Sequence, residues 1–282
     1  MSVKRVHYYH ADASALGGSL QRPVEQVVPM QAPSSLAPVG GYGSAQVGEF
    51  RLEGILSFAS ASTQVAGSVS KENGAWTTLV TATIEGLNVG EVLAADRMVA
   101  QISTEHPLVG YQPKVSFVGT KFENLRIAGC PVTPVLNLDL CSQRNVNEDG
   151  YPVVSCLDDP NFVSSVAAQY AQMTDLESLP DWVTNRQIPA WVQQRYQWNG
   201  SQVNVGPKGF VVCSLVDEIT GEFPGTPFGH AFVVPDFGKV FLAELVVDQN
   251  SYQLTMARLE LGSPVQGHLS LCTGKGNGQT SP

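Results

Sequence analysis

"EFRLEGILSF", residues 49–58, decides how the chain is read. Phe50, Leu52, Leu56 and Phe58 share one parity around Gly54, while Arg51, Glu53 and Ser57 take the other. A period of two puts the apolar set on one face of a half-buried β-strand.

The same signal continues downstream. "STQVAGSVS" is followed by the turn "KENG" and by "AWTTLVTATIEGL", "RMVAQIST", "KVSFVGT", "ENLRIAG" and "PVLNLDL". From residue 209 it returns as "FVVCSLVDE", "HAFVVP", "KVFLAELVVD", "SYQLTMARLEL" and "GHLSLC", with "VVDQNSYQ" as a hairpin turn. Short β segments at this density, punctuated by Gly, Pro and Asn, point to a sandwich or barrel.

Three stretches break the pattern. Residues 11–44 are rich in Ala, Gly, Pro and Ser, and their prolines forbid a long helix. They read as an extended arm packed along the body, since "VEQVVPM" is too apolar for a free linker. Residues 142–207 read as a helical insertion. Asp159 can cap a helix beginning at Pro160, behind which Phe162, Val163, Val166, Ala167, Tyr170 and Met173 recur at helical spacing. "PDWVTNR" and "PAWVQQRY" are two further helical candidates, and the polar tail "TGKGNGQTSP" reads as frayed.

The bulk numbers agree. The chain has 282 residues, 43% hydrophobic and only 15% charged, with 27 glycines and 18 prolines. Low charge with much Gly and Pro is a turn-rich β composition. A net charge of −9 with no cluster of Lys and Arg speaks against nucleic acid. No run is long enough for a membrane span, and "MSVKRVHYYHADAS" has no apolar segment behind its basic start. A cytoplasmic location is the default expectation. Cys130, Cys141, Cys156, Cys213 and Cys272 form no C-x-x-C pair. They read as free buried thiols, with a disulfide among the first three left open.

One stretch, about residues 93–132, carries a family likeness. "LAADRMVAQIST" and "VSFVGTKFENLRIAGCPV" resemble a pattern in uncharacterised bacterial β-rich proteins of the choice-of-anchor kind. In those proteins a strand ending in Leu-x-Ile-x-Gly-x-Pro-Val follows an Ala-Asp-x-Val strand. The resemblance implies a β architecture and a bacterial source, and no activity.

Catalytic motifs are incomplete. "GEFPGTPFGHAFVVPDFG" comes near the second metal motif of cupin barrels, but Gly229 and His230 are adjacent and no His-x-His pair exists. His10 and Asp12 form a His-x-Asp pair that would need His230 as a distal third ligand, with Lys239 downstream. That set is the alternative metal-oxygenase reading; the main expectation is no metal and no cofactor. "NVNEDGYPVVSC" has Asn145, Asn147, Asp149 and Gly150 at calcium-loop spacing, but Cys156 stands where a bidentate Glu belongs. Asp158 and Asp159 are the acidic pair a glycoside hydrolase would need, yet adjacent carboxylates rarely face one sugar and Asp159 has a cap to make.

The most informative cluster is aromatic. Trp182, Trp191, Tyr196 and Trp198 lie close together, among Gln193, Gln194, Arg195, Gln197 and Asn199. Flat rings beside planar amides suit sugar rings. The competing reading is that they glue the insertion to the sheet. The expectation is therefore a single mainly β domain spanning 1–282, an antiparallel sandwich or barrel with a small helical insertion. Its role reads as non-enzymatic, structural or interaction, with a ligand groove at Trp182, Trp191, Arg195, Tyr196 and Trp198. Its partner would be a carbohydrate or a protein, and the arm suits a homo-oligomeric shell or appendage subunit.

Overall fold

The computed structural model describes residues 5–281 apart from 53, 109–111, 143–144, 180, 182, 184–185 and 197–208. In chain order the strands of the first half are β1 (Val6–Arg22), β2 (Gln26–Gln31), β3 (Ser34–Ser35), β4 (Gly41–Val47), β5 (Phe50–Leu52), β6 (Leu56–Phe58) and β7 (Ser60–Val69). Then come β8 (Trp76–Val89), β9 (Leu93–His106), β10 (Lys114–Ser116), β11 (Lys121–Glu123), β12 (Arg126–Ile127), β13 (Cys130–Pro131) and β14 (Thr133–Leu136). Helices α1 (Pro160–Thr174) and α2 (Ala190–Tyr196) follow, and the chain returns through β15 (Phe210–Ser214), β16 (Val216–Thr220), β17 (Thr226–Phe228) and β18 (Ala231–Val234). The last three strands are long: β19 (Gly238–Asp248), β20 (Tyr252–Leu261) and β21 (Gln266–Ser281).

These strands form an antiparallel sandwich, not a closed barrel, with a small helical insertion. The first sheet runs β17-β18-β19-β20-β21-β1-β2, with β15 also on β19 and β3 also on β1. The second is built on β13-β12-β9-β8-β6-β5, with β7 and β4 continuing from β8 and with β10 and β11 on β9. Strands β1, β20 and β21 pack against β7, β8 and β9, and one apolar core fills the space between the sheets.

Residues 49–58 are two strands rather than one. β5 and β6 form a hairpin turning at Gly54, φ +70°, which pairs Phe50 with Phe58 and Leu52 with Leu56. The apolar residues share a face because they pair across the hairpin, with the two phenyl rings stacked at 5.3 Å. Leu56 and Phe58 are buried, worth about 1.5–3 kcal/mol each.

Two further expectations need correction. Residues 11–22 are not an arm: they continue β1, which lies inside the first sheet between β21 and β2. Nor is 273–281 frayed, because it pairs with β1 from Val6↔Ser281 to Ser14↔Thr273. Both were misread for one reason. Their inward residues are Ala11 and Ala13 on β1 and, directly opposite, Gly276 and Gly274 on β21. Small residues carry no hydrophobic period, yet here they are obligatory. A Cβ on Gly274 or Gly276 would come within 3.0 or 2.9 Å of the Val80 side chain across the sandwich. Residues 24–44 do lie along the body, through β2 and β3 on β1 and β4 on β7.

The first sheet carries a crease. On β19 the inward residues are Val240 and Leu242, then Leu245 and Val247, so the alternation slips by one at Ala243, φ 45°. The same slip occurs in register at Met256 on β20, at Cys272 (φ 49°) on β21 and at Ala15 on β1. The ladders step over all four: Leu242↔Ala257 to Glu244↔Thr255, Ala257↔Leu271 to Thr255↔Thr273, and Leu16↔Leu271 to Ser14↔Thr273. Because neighbours slip together, pairing is kept while the inward set changes parity. Without the slip, Glu244 would point into the core.

The insertion is laid on the outward face of this sheet. Asp159 accepts from the Asn161 and Phe162 amides at 3.0 and 3.1 Å, and Pro160 opens α1 as expected. Gln169 of α1 then bonds both backbone groups of Ser214, its Nε2 donating to the carbonyl at 2.8 Å and its Oε1 accepting from the amide at 3.0 Å. "PAWVQQRY" holds α2, but no helix forms among the described residues of "PDWVTNR". Val183, β-branched, is a weak helix former. All five cysteines are free thiols, which answers the open disulfide question.

Candidate functional site

Helix α2 presents two adjacent stripes. Val192 and Tyr196, four residues apart, turn into a second apolar cluster with Met173, Leu179, Val212 and Phe241. Trp191 and Arg195 take the neighbouring stripe. Trp191 meets Phe228 and Phe241 at right angles, with centroids 5.8 and 5.4 Å apart.

Beneath α2 lies Glu244, turned outward by the crease and only 3% exposed. It accepts four charge-assisted or hydroxyl hydrogen bonds. Arg195 clamps it with both arms, Nε to Oε1 and Nη2 to Oε2, each at 2.6 Å. The Tyr196 hydroxyl donates to Oε1 at 2.6 Å, and Arg258 Nε donates to Oε2 at 2.7 Å. Burial alone would raise the Glu244 pKa, but the bonds and charges of Arg195 and Arg258 hold it down at about 2. The hydroxyl of Tyr196, already donating, can only accept from His230 Nε2 at 3.1 Å. Burial pushes the His230 pKa down to about 4, against the pull of Glu244. The result is an oriented chain, neutral His230 to Tyr196 to ionised Glu244, that fastens the insertion to the sheet.

The outer wall of this cluster is a groove of about 420 Å³ lined by Trp191, Gln194, Arg195, Lys239, Phe241 and Glu260, among others. Lys239 and Arg258 both donate to Glu260, at 2.7 and 2.6 Å. The Arg258 guanidinium lies 3.6 Å above the Phe241 ring. Aromatic surface and paired charges therefore share one concave face.

Of the five residues expected to bind ligand, the structure brings Trp191, Arg195 and Tyr196 together on α2. Trp182 and Trp198 lie outside the described residues. Trp191 and Arg195 line the groove, whereas Tyr196 is 1% exposed and bonded to Glu244. His10 sits 3.1 Å from Asp12 on an exposed stretch of β1, while His230 belongs to the Glu244 chain. Among the described residues no group of three or more His, Cys, Asp or Glu could hold a metal. The residues at 145–150 form a turn in which Asn147 Oδ1 accepts from the Tyr151 amide at 2.9 Å. Asp159 caps its helix and Asp158 accepts from Ser155 Oγ at 2.6 Å, so the two acids do not face each other across a cleft. No helix among the described residues is long and apolar enough to cross a membrane.

Sequence reasoning missed Glu244, Arg258 and Glu260. The signal was present in "FLAELVV" and "TMARLEL", where single charged residues interrupt apolar strands. A charge in such a place is drawn wholly or partly out of water, as Glu244 is wholly and Arg258 and Glu260 partly, and it then needs a partner.

A family model described as "Domain of unknown function (DUF8256)" matches residues 7–248. That is most of the chain, which therefore belongs to this family. No curated protein and no solved structure matches it.

Proposed function

We propose that this member of the DUF8256 family is a non-enzymatic interaction protein whose insertion groove takes a carbohydrate ligand. The observation that carries the reading is the chemistry of the groove. Trp191 offers a partly exposed aromatic face beside the Gln194 amide, and the charges around it, Arg195, Lys239 and Arg258, are each bonded to Glu244 or Glu260. Such a surface can stack a sugar ring and hydrogen-bond its hydroxyls. It is poorly suited to proton transfer. A general acid or base works best with a pKa near the operating pH, and Glu244 and His230 are both displaced well below it.

The experiment is a fluorescence titration with neutral trisaccharides, cellotriose and chitotriose, on wild type and Trp191→Phe. Saturable quenching that disappears in Trp191→Phe is the expected outcome. Quenching unchanged by the substitution, or none at all, removes the groove reading.

A second reading is favoured by β2. It ends the first sheet, and Val24, Val27 and Met30 in and beside it are 66%, 73% and 65% exposed. An open apolar edge suits contact with another copy of the chain, as in a shell or appendage subunit. Light scattering tests this directly: a monomer at all concentrations ends that reading.

A further inference from the structure

The opposite end of the β19–β20 hairpin carries another cleft. We propose that it is a second ligand site, for an uncharged, hydroxyl-rich ligand of one or two sugar rings. The cleft has a volume of about 730 Å³, within the usual range for small-molecule sites. Its wall is the start of β1, where Tyr8 and His10 point outward and are half exposed. Across the β1–β21 ladder they pair with Gln279 and Asn277. The β19–β20 turn supplies Gln249 and Asn250, and Lys275 lies further along β21.

Three features make this a built surface. First, its scaffold is fixed. Asp248 accepts from the Asn250 amide at 2.6 Å and from Ser251 Oγ at 2.7 Å, which pins the turn. Asn277 Nδ2 donates to the Asn250 carbonyl at 2.8 Å, and His106 Nε2 contacts Asn277 Oδ1 from the second sheet. Second, the side chains that face the cleft are not spent. The side chains of Tyr8, Gln249, Gln279, Lys275 and Asn250 make no hydrogen bond to any described residue; Asn250 is held through its backbone alone. Third, charge is balanced: the lining holds one cation, Lys275, and one carboxylate, Asp248, whose oxygens already serve the turn. Unspent amides beside a half-exposed ring recognise hydroxyls and a C–H face, not a net charge.

The site is distinct from the insertion groove. Lys239 and Asp248 stand nine residue steps apart on β19, about 30 Å of strand, and the two linings share no residue, although they adjoin at Gly209 and Phe210. The two can therefore be read separately.

The test is residue-resolved NMR titration with cellotriose, maltotriose and chitotriose, and with trigalacturonate as the acidic control. Expected are shifts at Tyr8, His10, Gln249, Asn250 and Gln279 with at least one neutral trisaccharide. Tyr8→Ala should weaken that binding about tenfold or more, and Trp191→Phe should leave it unchanged. Tyr8 is half exposed, so the variant keeps its fold, and Gln279→Ala gives a second measure. The proposal is overturned if no neutral trisaccharide moves these residues, if trigalacturonate binds more tightly, or if both variants bind as wild type does. Shifts confined to the Trp191 groove would also overturn it while leaving the groove reading intact.

Discussion

The two ends of the β19–β20 hairpin solve opposite problems with polar side chains. Near Lys239 and Glu260 the sheet face is roofed by α2, and every carboxylate there is bound to arginine, lysine or tyrosine. Near Gln249 and Asn250 the face is open, and the amides have no internal partner among the described residues. Burial explains the contrast. A charge taken out of water must be paired, and the pairing then consumes its binding capacity. An amide left in water loses nothing by waiting. Buried polarity here is architecture, and open polarity keeps its bonding capacity.

The comparison can be broken first at Glu244. Replacing it with Ala leaves Arg195 and Arg258 without their shared anion and should destabilise the fold by about 3–5 kcal/mol. Urea denaturation measures this, and a loss below ~1 kcal/mol would mean the cluster is ornamental.

Acid is the second probe. Burial lowers the pKa values of His7, His106 and His230 from 6.5 to about 4. Unfolded chains take up those protons first, so stability is full above pH 6.5 and falls as pH drops through 4. Glu244 adds a second loss between 4.5 and about 2 as its carboxylate is forced to protonate. Thermal melts across pH 7 to 3 should show the first decline beginning below 6.5, and a His106→Gln variant should make it shallower, since His7 and His230 remain. A flat profile down to pH 5 would contradict the histidine burial.

Tyr196→Phe is gentler. It removes one hydrogen bond to a charged group and leaves His230 Nε2 without an acceptor, a cost of about 1.5–3 kcal/mol. The smallest effect belongs to the open end. Tyr8→Ala and Gln279→Ala should each change stability by no more than about 0.5 kcal/mol. A large loss at either would show that the cleft is structural after all.

Much of the architecture was legible in the sequence. "AWTTLVTATIEGL", the turn at "DQNS" and the Asp159 cap all stand where side-chain periodicity and capping chemistry place them. The failures share a cause. β1 and the end of β21 face inward with Ala and Gly, so hydrophobic alternation is silent there, although close approach of the sheets demands small residues. Residues 49–58 gave the right face and the wrong connection, because Phe50 and Phe58 share parity both along a strand and across a hairpin. Glu244 was hidden by the crease. Counting by twos from Val240 puts it in the core, and no sequence rule announces a slip that depends on three other strands. Trp191 and Arg195 stand out in the sequence, but Lys239 and Glu260, which line the same groove, come from the far side of the insertion.

The crease also has a consequence for synthesis. Ala15 and Cys272 slip against each other although they stand far apart in the sequence, Ala15 being made long before Cys272. A nascent chain stalled before Gln266 has β1 and β20 in hand but lacks β21, the neighbour they share. Neither can complete the crease alone, so closure of this sheet is delayed until residues 266–281 emerge. Pairing at such separation belongs to the slow class of folding events. The Ala, Gly and Ser of β1 suit the delay, since a strand with one edge waiting for its partner is safest when it offers little to stick to.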